Sequence, residues 1–298
     1  MGVLSMRVTF RSMMEDARKG GYAVGYFEAW DLYSLEAVVD AAEALQAPAI
    51  VGFGEAMTDP DWYEAGGIER CAALGRAAVA RSSAPLCLIY NEVATYEHCV
   101  RGAKAGFDVV MLDSSELPHD EHLRLTQNLV REAHGMDVAV EAELGELPTA
   151  GSSQGGGSLT DPEEAAAFVE QTGIDSLSVS IGNVHLMEVG FAAVDLERLT
   201  AIHRATGAPL VLHGGSGFPD DAVAETLRCG VTKYNVGTIL KKLFLEGMMK
   251  ALKGRTAGAG IHELMGSRRG QDVMEQGKAR MREEVIRRMR VYNPGLGV

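Results

Sequence analysis

No stretch of the chain approaches the roughly 18 consecutive apolar residues that a membrane span needs, and mean hydropathy is close to zero. The opening segment, "MGVLSMRVTFRSMMEDARKGGY", lacks the apolar core and cleavage site of a secretory leader, so none is expected. Cysteine is scarce. Four residues (Cys71, Cys87, Cys99 and Cys229) are scattered with no CxxC spacing, which reads as free thiols in a reducing cytoplasm. Positive charge is also in short supply: 28 Lys and Arg face 41 Asp and Glu, for a net charge of -13. That balance argues against a nucleic-acid backbone or an anionic membrane as partner. It leaves room for a small anion, because a local site can differ from the global field.

What is present is a repeating unit. The 298 residues are 46% apolar and 23% charged, enough for one large domain or two small ones. Short apolar runs alternate with longer stretches of helical period. The runs fall at 22–29, 48–54, 86–92, 108–113, 137–145, 176–182, 209–215 and 233–238. Between the first two, Leu35, Val38, Val39 and Ala42 share one helical face. Between the fifth and sixth, Pro162 begins a helix and Gly173 stops it. Continuous apolar strands joined by helices imply a parallel sheet covered on its outer side. Eight such units predict a closed (β/α)8 (TIM) barrel over 1–298, a single domain with a C-terminal helical extension. An open doubly wound sheet is the weaker alternative, because no glycine-rich phosphate fingerprint follows the first strand.

In such a barrel, chemistry collects where strands end. The runs end in Glu28, Asn91 with Glu92, Asp113, Glu143, His185 just past the sixth strand, His213, and Asn235 with Thr238. Packing alone requires none of these. The other histidines, His98, His119, His122, His134, His203 and His262, fall on helical or loop stretches and are expected at the surface. Imidazoles and carboxylates around one mouth are a composition for zinc, manganese, iron or cobalt. The glycines of "HGGSG" and "NVGT" leave backbone N–H groups free to face a phosphate, with Ser216 and Thr238 adding hydroxyls.

The pattern "VEAELG", "IGNVH", "HGGSG" and "NVGT" resembles the class II, metal-dependent fructose-bisphosphate aldolases and their tagatose-bisphosphate relatives. The resemblance covers most of the chain. It implies that His185 and His213 bind a divalent metal, zinc first with manganese, cobalt or iron as alternatives. It implies a second metal position at Asp113 and Glu143, and phosphate binding by Gly182, Gly214, Gly215, Ser216, Asn235, Gly237 and Thr238. It also implies a homodimer or homotetramer.

The departures lie at the site. After the third strand the family carries His-x-Asp-His, with the Asp as acid/base and the last His as third metal ligand; here Asn91 and Glu92 stand in those places. The first strand ends in Glu28 where the family has Asn. Leu186 follows the metal histidine in place of Gly. The loop at 148–158 carries no acid, unlike the family's acidic loop; its glycines and serines predict a lid that orders over a bound substrate. The expectation is a divergent metal-dependent lyase on a phosphorylated ketose or related sugar phosphate. Glu92 would be a ligand or, with Glu28, the acid/base that Asn91 cannot be. Fructose 1,6-bisphosphate is expected to be a poor substrate. The alternative is a non-catalytic sugar-phosphate binder. The arginine-rich stretch 279–295 reads as an amphipathic helix with a solvated basic face.

Overall fold

The structure, a computed structural model, describes residues 8–56, 58–115, 117–145, 157–184, 194–255 and 260–297. Eight parallel strands close on themselves in chain order. They are β1 (Val24–Glu28), β2 (Ala49–Gly54), β3 (Leu86–Val93), β4 (Val109–Leu112), β5 (Ala139–Leu144), β6 (Ser176–Val179), β7 (Leu210–Leu212) and β8 (Val231–Val236). The seam is the β1–β8 ladder, with Tyr26 opposite Asn235 and Phe27 opposite Val236. This is the TIM barrel that the eight apolar runs predict. Nearly every strand residue is buried, because the inner face fills the lumen and the outer face meets helices.

The helices follow in order: α1 (Phe10–Gly20), α2 (Leu32–Leu45), the short α3 (Pro60–Trp62), α4 (Ile68–Arg81), α5 (Tyr96–Ala105), α6 (His119–His134), α7 (Pro162–Thr172), α8 (Leu196–Thr206), α9 (Asp220–Arg228), α10 (Thr238–Leu252), α11 (Ile261–Leu264) and α12 (Val273–Tyr292). Local chemistry sets several boundaries. Asp31 and Ser34 form a reciprocal capping box on α2. Asp161 caps α7 ahead of Pro162, and Gly173, at φ 70°, ends it. Helix α1 closes one end of the barrel. Its Phe10, Met13 and Met14 pack on the lumen residues Val24, Ile50 and Ile89.

Two expectations are corrected. His98 and His122 are 8% and 6% exposed, not surface residues. His98 on α5 sits between two carboxylates, Nδ1 at 2.6 Å from Glu55 and Nε2 at 2.7 Å from Glu64. His122 on α6 packs its ring 4.8 Å from that of Phe168. Helix α12 is not merely solvated on its basic face either: Arg288 is only 5% exposed. The four cysteines form no disulfide. No helix among the described residues is long and apolar enough to cross a membrane. His185, Leu186 and nearly all of the glycine-rich loop lie outside the described residues.

Candidate active site

At the C-terminal ends of the strands the barrel opens into a cavity of about 590 Å3. Its walls carry Glu28 from β1, Asn91 and Glu92 from β3, His213 and Ser216 from the β7 turn, and Asn235 with Thr238 from β8 and α10. Gly214 and Gly237 also line it. Nine of the expected site residues thus share one cavity, since strand ends converge there. Of the remaining expected residues, Gly215 is buried within the turn. Glu143 reaches His213 from β5. Asp113 and Gly182 are not among the residues that line the cavity. Asp113 instead accepts the Ser115 N–H at 3.0 Å, closing a local turn.

His213 is the hub. Its Nδ1 lies 3.1 Å from Glu92 Oε1 and 3.5 Å from Glu143 Oε2. Its Nε2 lies 3.2 Å from Glu141 Oε1 and 2.7 Å from Asn235 Nδ2. A proton on Nε2 serves Glu141; without it, that nitrogen accepts from the Asn235 amide. Burial opposes the imidazolium, but hydrogen bonds to Glu141 and Glu92, with the charge of Glu143, outweigh it and raise the pKa to about 9. Asn183 holds the backbone beneath, its Nδ2 donating to His213 O at 3.0 Å.

Below His213 lies a pair that sequence reading did not single out. Glu141 and Lys233 are both fully buried, and Lys233 Nζ donates to Glu141 Oε1 at 2.8 Å and to Asn235 Oδ1 at 2.6 Å. Burial pushes the Glu141 carboxyl up, but Lys233 and His213 more than reverse this and bring its pKa down to about 2. Burial pulls Lys233 below the ordinary lysine range, against the opposing charge of Glu141. The signal for this pair was a charge of each sign mid-strand in "AVEAEL" and "VTKYNV". Asn235 carries the network on, donating through Nδ2 to Asn91 Oδ1 at 3.3 Å.

Backbone strain sits at Glu92. It adopts φ 49°, uncommon for a non-glycine residue, and the β3–β4 register shifts between Tyr90 and Val93. The irregularity lies where the side chain meets His213. Across the mouth, Lys241 Nζ donates to Glu28 Oε1 at 2.7 Å. Burial raises the Glu28 carboxyl above its ordinary range; Lys241 opposes the shift and the charge of Glu92 adds to it.

Glycine is required at 214, where backbone approaches closely. Gly214 adopts φ 73°, and a Cβ there would stand 2.3 Å from Val184 O. A Cβ on Gly237 would stand 2.3 Å from Glu28 Oε2. Ser216 Oγ accepts the Ile239 N–H at 3.1 Å, joining the β7 turn to the start of α10. Arg288 supports this turn from behind, donating to Gly215 O at 3.0 Å and Ser216 O at 3.2 Å. Its buried guanidinium is the second contributor that sequence reading missed. One arginine among five in 279–295 gave no signal of its own.

Residues 8–294 match the family model described as fructose-bisphosphate aldolase class-II. The chain belongs to the class II fructose-bisphosphate aldolase family. The solved structures it resembles include the YdjI aldolase from Escherichia coli K12, at 25% identity and a TM-score of 0.78 over 96% of this chain and 97% of that one. A putative fructose-1,6-bisphosphate aldolase from Coccidioides immitis matches at 27% identity and a TM-score of 0.76, over 94% of each chain. The fructose-bisphosphate aldolase of Campylobacter jejuni shares the fold at 22% identity and a TM-score of 0.74, over 98% of each chain.

Class II aldolases use a divalent metal, so the donors of this family member bear on that group. Among the described residues, no three His, Cys, Asp or Glu side chains stand as a ready cage for an ion. The donors nonetheless fit in kind: one imidazole nitrogen approached by two carboxylates, Glu92 and Glu143. The pKa of about 9 at His213 means that an ion arriving there displaces a proton.

Proposed function

We propose that this class II aldolase-family protein is a metal-dependent lyase acting on a phosphorylated ketose, and a poor one on fructose 1,6-bisphosphate. The observation that carries the reading is Asn91. It sits on the cavity wall in the place of the resembled family's acid/base, and its amide oxygen is tied to Asn235. An amide moves no proton near neutral pH. Glu28 is the carboxylate on the same wall whose raised pKa suits proton transfer.

The metal would be held by His213 and Glu92 together with His185, Glu143 lying next to the first two. When bound it polarises the substrate carbonyl and stabilises the negative charge that develops on the oxygen. The chain's own residues do the remaining work. The turn at Gly214, Gly215 and Ser216 and the start of α10 at Gly237 and Thr238 hold the phosphate. The Lys233–Asn235 network fixes the His213 ring. Glu28 takes the substrate's hydroxyl proton, with Glu92 as the alternative if it does not ligate. The second metal position and the Gly182 contact rest on the family resemblance alone. A homodimer or homotetramer is in keeping with Leu245, Met249 and Leu252, which lie along one face of α10 and are 56%, 63% and 48% exposed.

The test is turnover of fructose 1,6-bisphosphate and a panel of ketose phosphates by the metal-loaded protein, beside Asn91→Asp with Glu92→His. General acid–base assistance is worth roughly 100- to 10,000-fold. The double variant should gain at least the lower figure on fructose 1,6-bisphosphate. Robust cleavage of that substrate by the unmodified protein would overturn the reading. Phosphate binding with no chelator-sensitive turnover on any ketose phosphate would favour the non-catalytic binder.

A further inference from the structure

Four buried side-chain polar atoms among the described residues have no hydrogen-bond partner: the hydroxyls of Tyr26, Tyr90 and Tyr292, and Nδ1 of His203. Two of them have neighbours that account for them, and a third lies elsewhere in the fold. The Tyr90 hydroxyl lies beside Glu55, and that of Tyr292 beside Arg288. His203 Nδ1 lies against Gly230, away from the barrel mouth. Tyr26 differs, because it is the only one of the four that lines the cavity.

Tyr26 stands two residues before Glu28 on β1, so both side chains point to the same side of the strand, into the lumen. Its ring packs in the apolar cluster beneath the cavity, with Lys233 Nζ 5.2 Å from the ring centroid. The residue is 2% exposed. A buried donor left unmade costs its full desolvation. Natural cores retain few such groups, and retention in a cavity wall calls for an explanation. Burial, with the charges of Glu28, Glu92, Tyr63 and Glu141, keeps the phenol far above its ordinary range. It therefore stays protonated and serves as a donor, not as a base.

We propose that the Tyr26 hydroxyl is a substrate-recognition donor that binds an oxygen of the sugar's carbon chain, a carbonyl or hydroxyl, and not the phosphate. The inference rests on the phosphorylated-ketose reading of this cavity and deepens it. It assigns recognition of the carbon chain to β1, while the phosphate belongs to the β7 turn and α10. The hydroxyl has no protein partner among the described residues, and substrate entering the cavity supplies one.

Tyr26→Phe tests this, because it deletes one oxygen and nothing else. Two probes separate the roles: dihydroxyacetone phosphate, the smallest ketose phosphate, and inorganic phosphate, which has no carbon chain. Calorimetric titration should show dihydroxyacetone phosphate weakened about tenfold in the variant, the cost of one good neutral hydrogen bond. Inorganic phosphate should bind within twofold of the parent. The thermal midpoint of the ligand-free variant should be unchanged or higher, since an unpaired polar group has been removed. A lower midpoint with unchanged affinities would show a hydroxyl satisfied inside the free protein, by water or a neighbour, and would overturn the proposal. Equal losses for both probes would also overturn it. If the parent binds neither probe, the phosphorylated-ketose reading fails and takes this inference with it; if the parent binds both and the variant binds both as tightly, only the Tyr26 assignment fails.

Discussion

At the end of the barrel closed by α1, Phe10, Met13 and Met14 meet Val24, Ile50 and Ile89, and none of the six is more than 2% exposed. Polar contacts there are closed and local: Asp175 receives Arg11, the Val140 N–H and His134. The opposite end is built from groups that are costly to bury. It buries Glu141, Lys233 and His213, holds Glu92 at positive φ and leaves the Tyr26 hydroxyl unpaired. The same eight strands run through both ends, so the difference is one of side chains, not of architecture. One end contributes stability and the other spends some of it on a preorganised set of donors and charges.

That contrast can be broken at the charged end first. Lys233→Met leaves Glu141 buried without its ammonium and should lower the unfolding free energy by about 3–5 kcal/mol in urea titrations. Adding Glu141→Leu should recover much of the loss, since a buried pair replaced by apolar groups is often neutral. Full loss persisting in the double variant would show that the carboxylate's bonds to Ser176 and His213, and not the ion pair, carry the effect. At the closed end, Phe10→Ala should cost about 3 kcal/mol by the same measurement. Inorganic phosphate binding should stay at the parent value; a change in affinity would mean that the two ends are coupled. The smallest effect is one of pH. His213 holds its proton more tightly folded, at about 9 against an ordinary 6.5. Its contribution in the metal-free protein is complete below pH 6.5 and is lost as pH rises through 9. The loss is at most about 3 kcal/mol. Unfolding curves between pH 6 and pH 10 should show it in the parent and equally in Phe10→Ala, and His213→Asn should flatten it.

Much of this was legible in the chain. The eight strands could be read because parallel strands buried on both faces are written as unbroken apolar runs, and because caps such as Asp161 with Pro162 mark where helices begin. The mouth could be read because polar residues at strand ends have no packing reason to be there. What escaped was set by distance across the fold. Glu141 and Lys233 are 92 residues apart and meet only once the barrel closes. Arg288 looks like its solvated neighbours until α12 is laid against the β7 turn. His98 and His122 were misplaced because a helix can turn a histidine inward without changing its period. Tyr26 passed for an ordinary apolar strand residue, since nothing local tells a hydroxyl with a partner from one without.

The grip of Arg288 on Gly215 and Ser216 also bears on the order of assembly during synthesis. Helix α12 leaves the ribosome after all eight strands, and besides the arginine it supplies the Tyr292 carbonyl that accepts the Ala23 N–H at 2.9 Å. A nascent chain that has made β8 but not α12 holds every strand of the barrel, yet its β7 turn lacks the guanidinium that braces it. On the proposed reading, a phosphate held at this turn would gain that brace only once α12 has docked. A pull-down of stalled chains on a phosphate resin should separate those released before residue 288 from those released after residue 292.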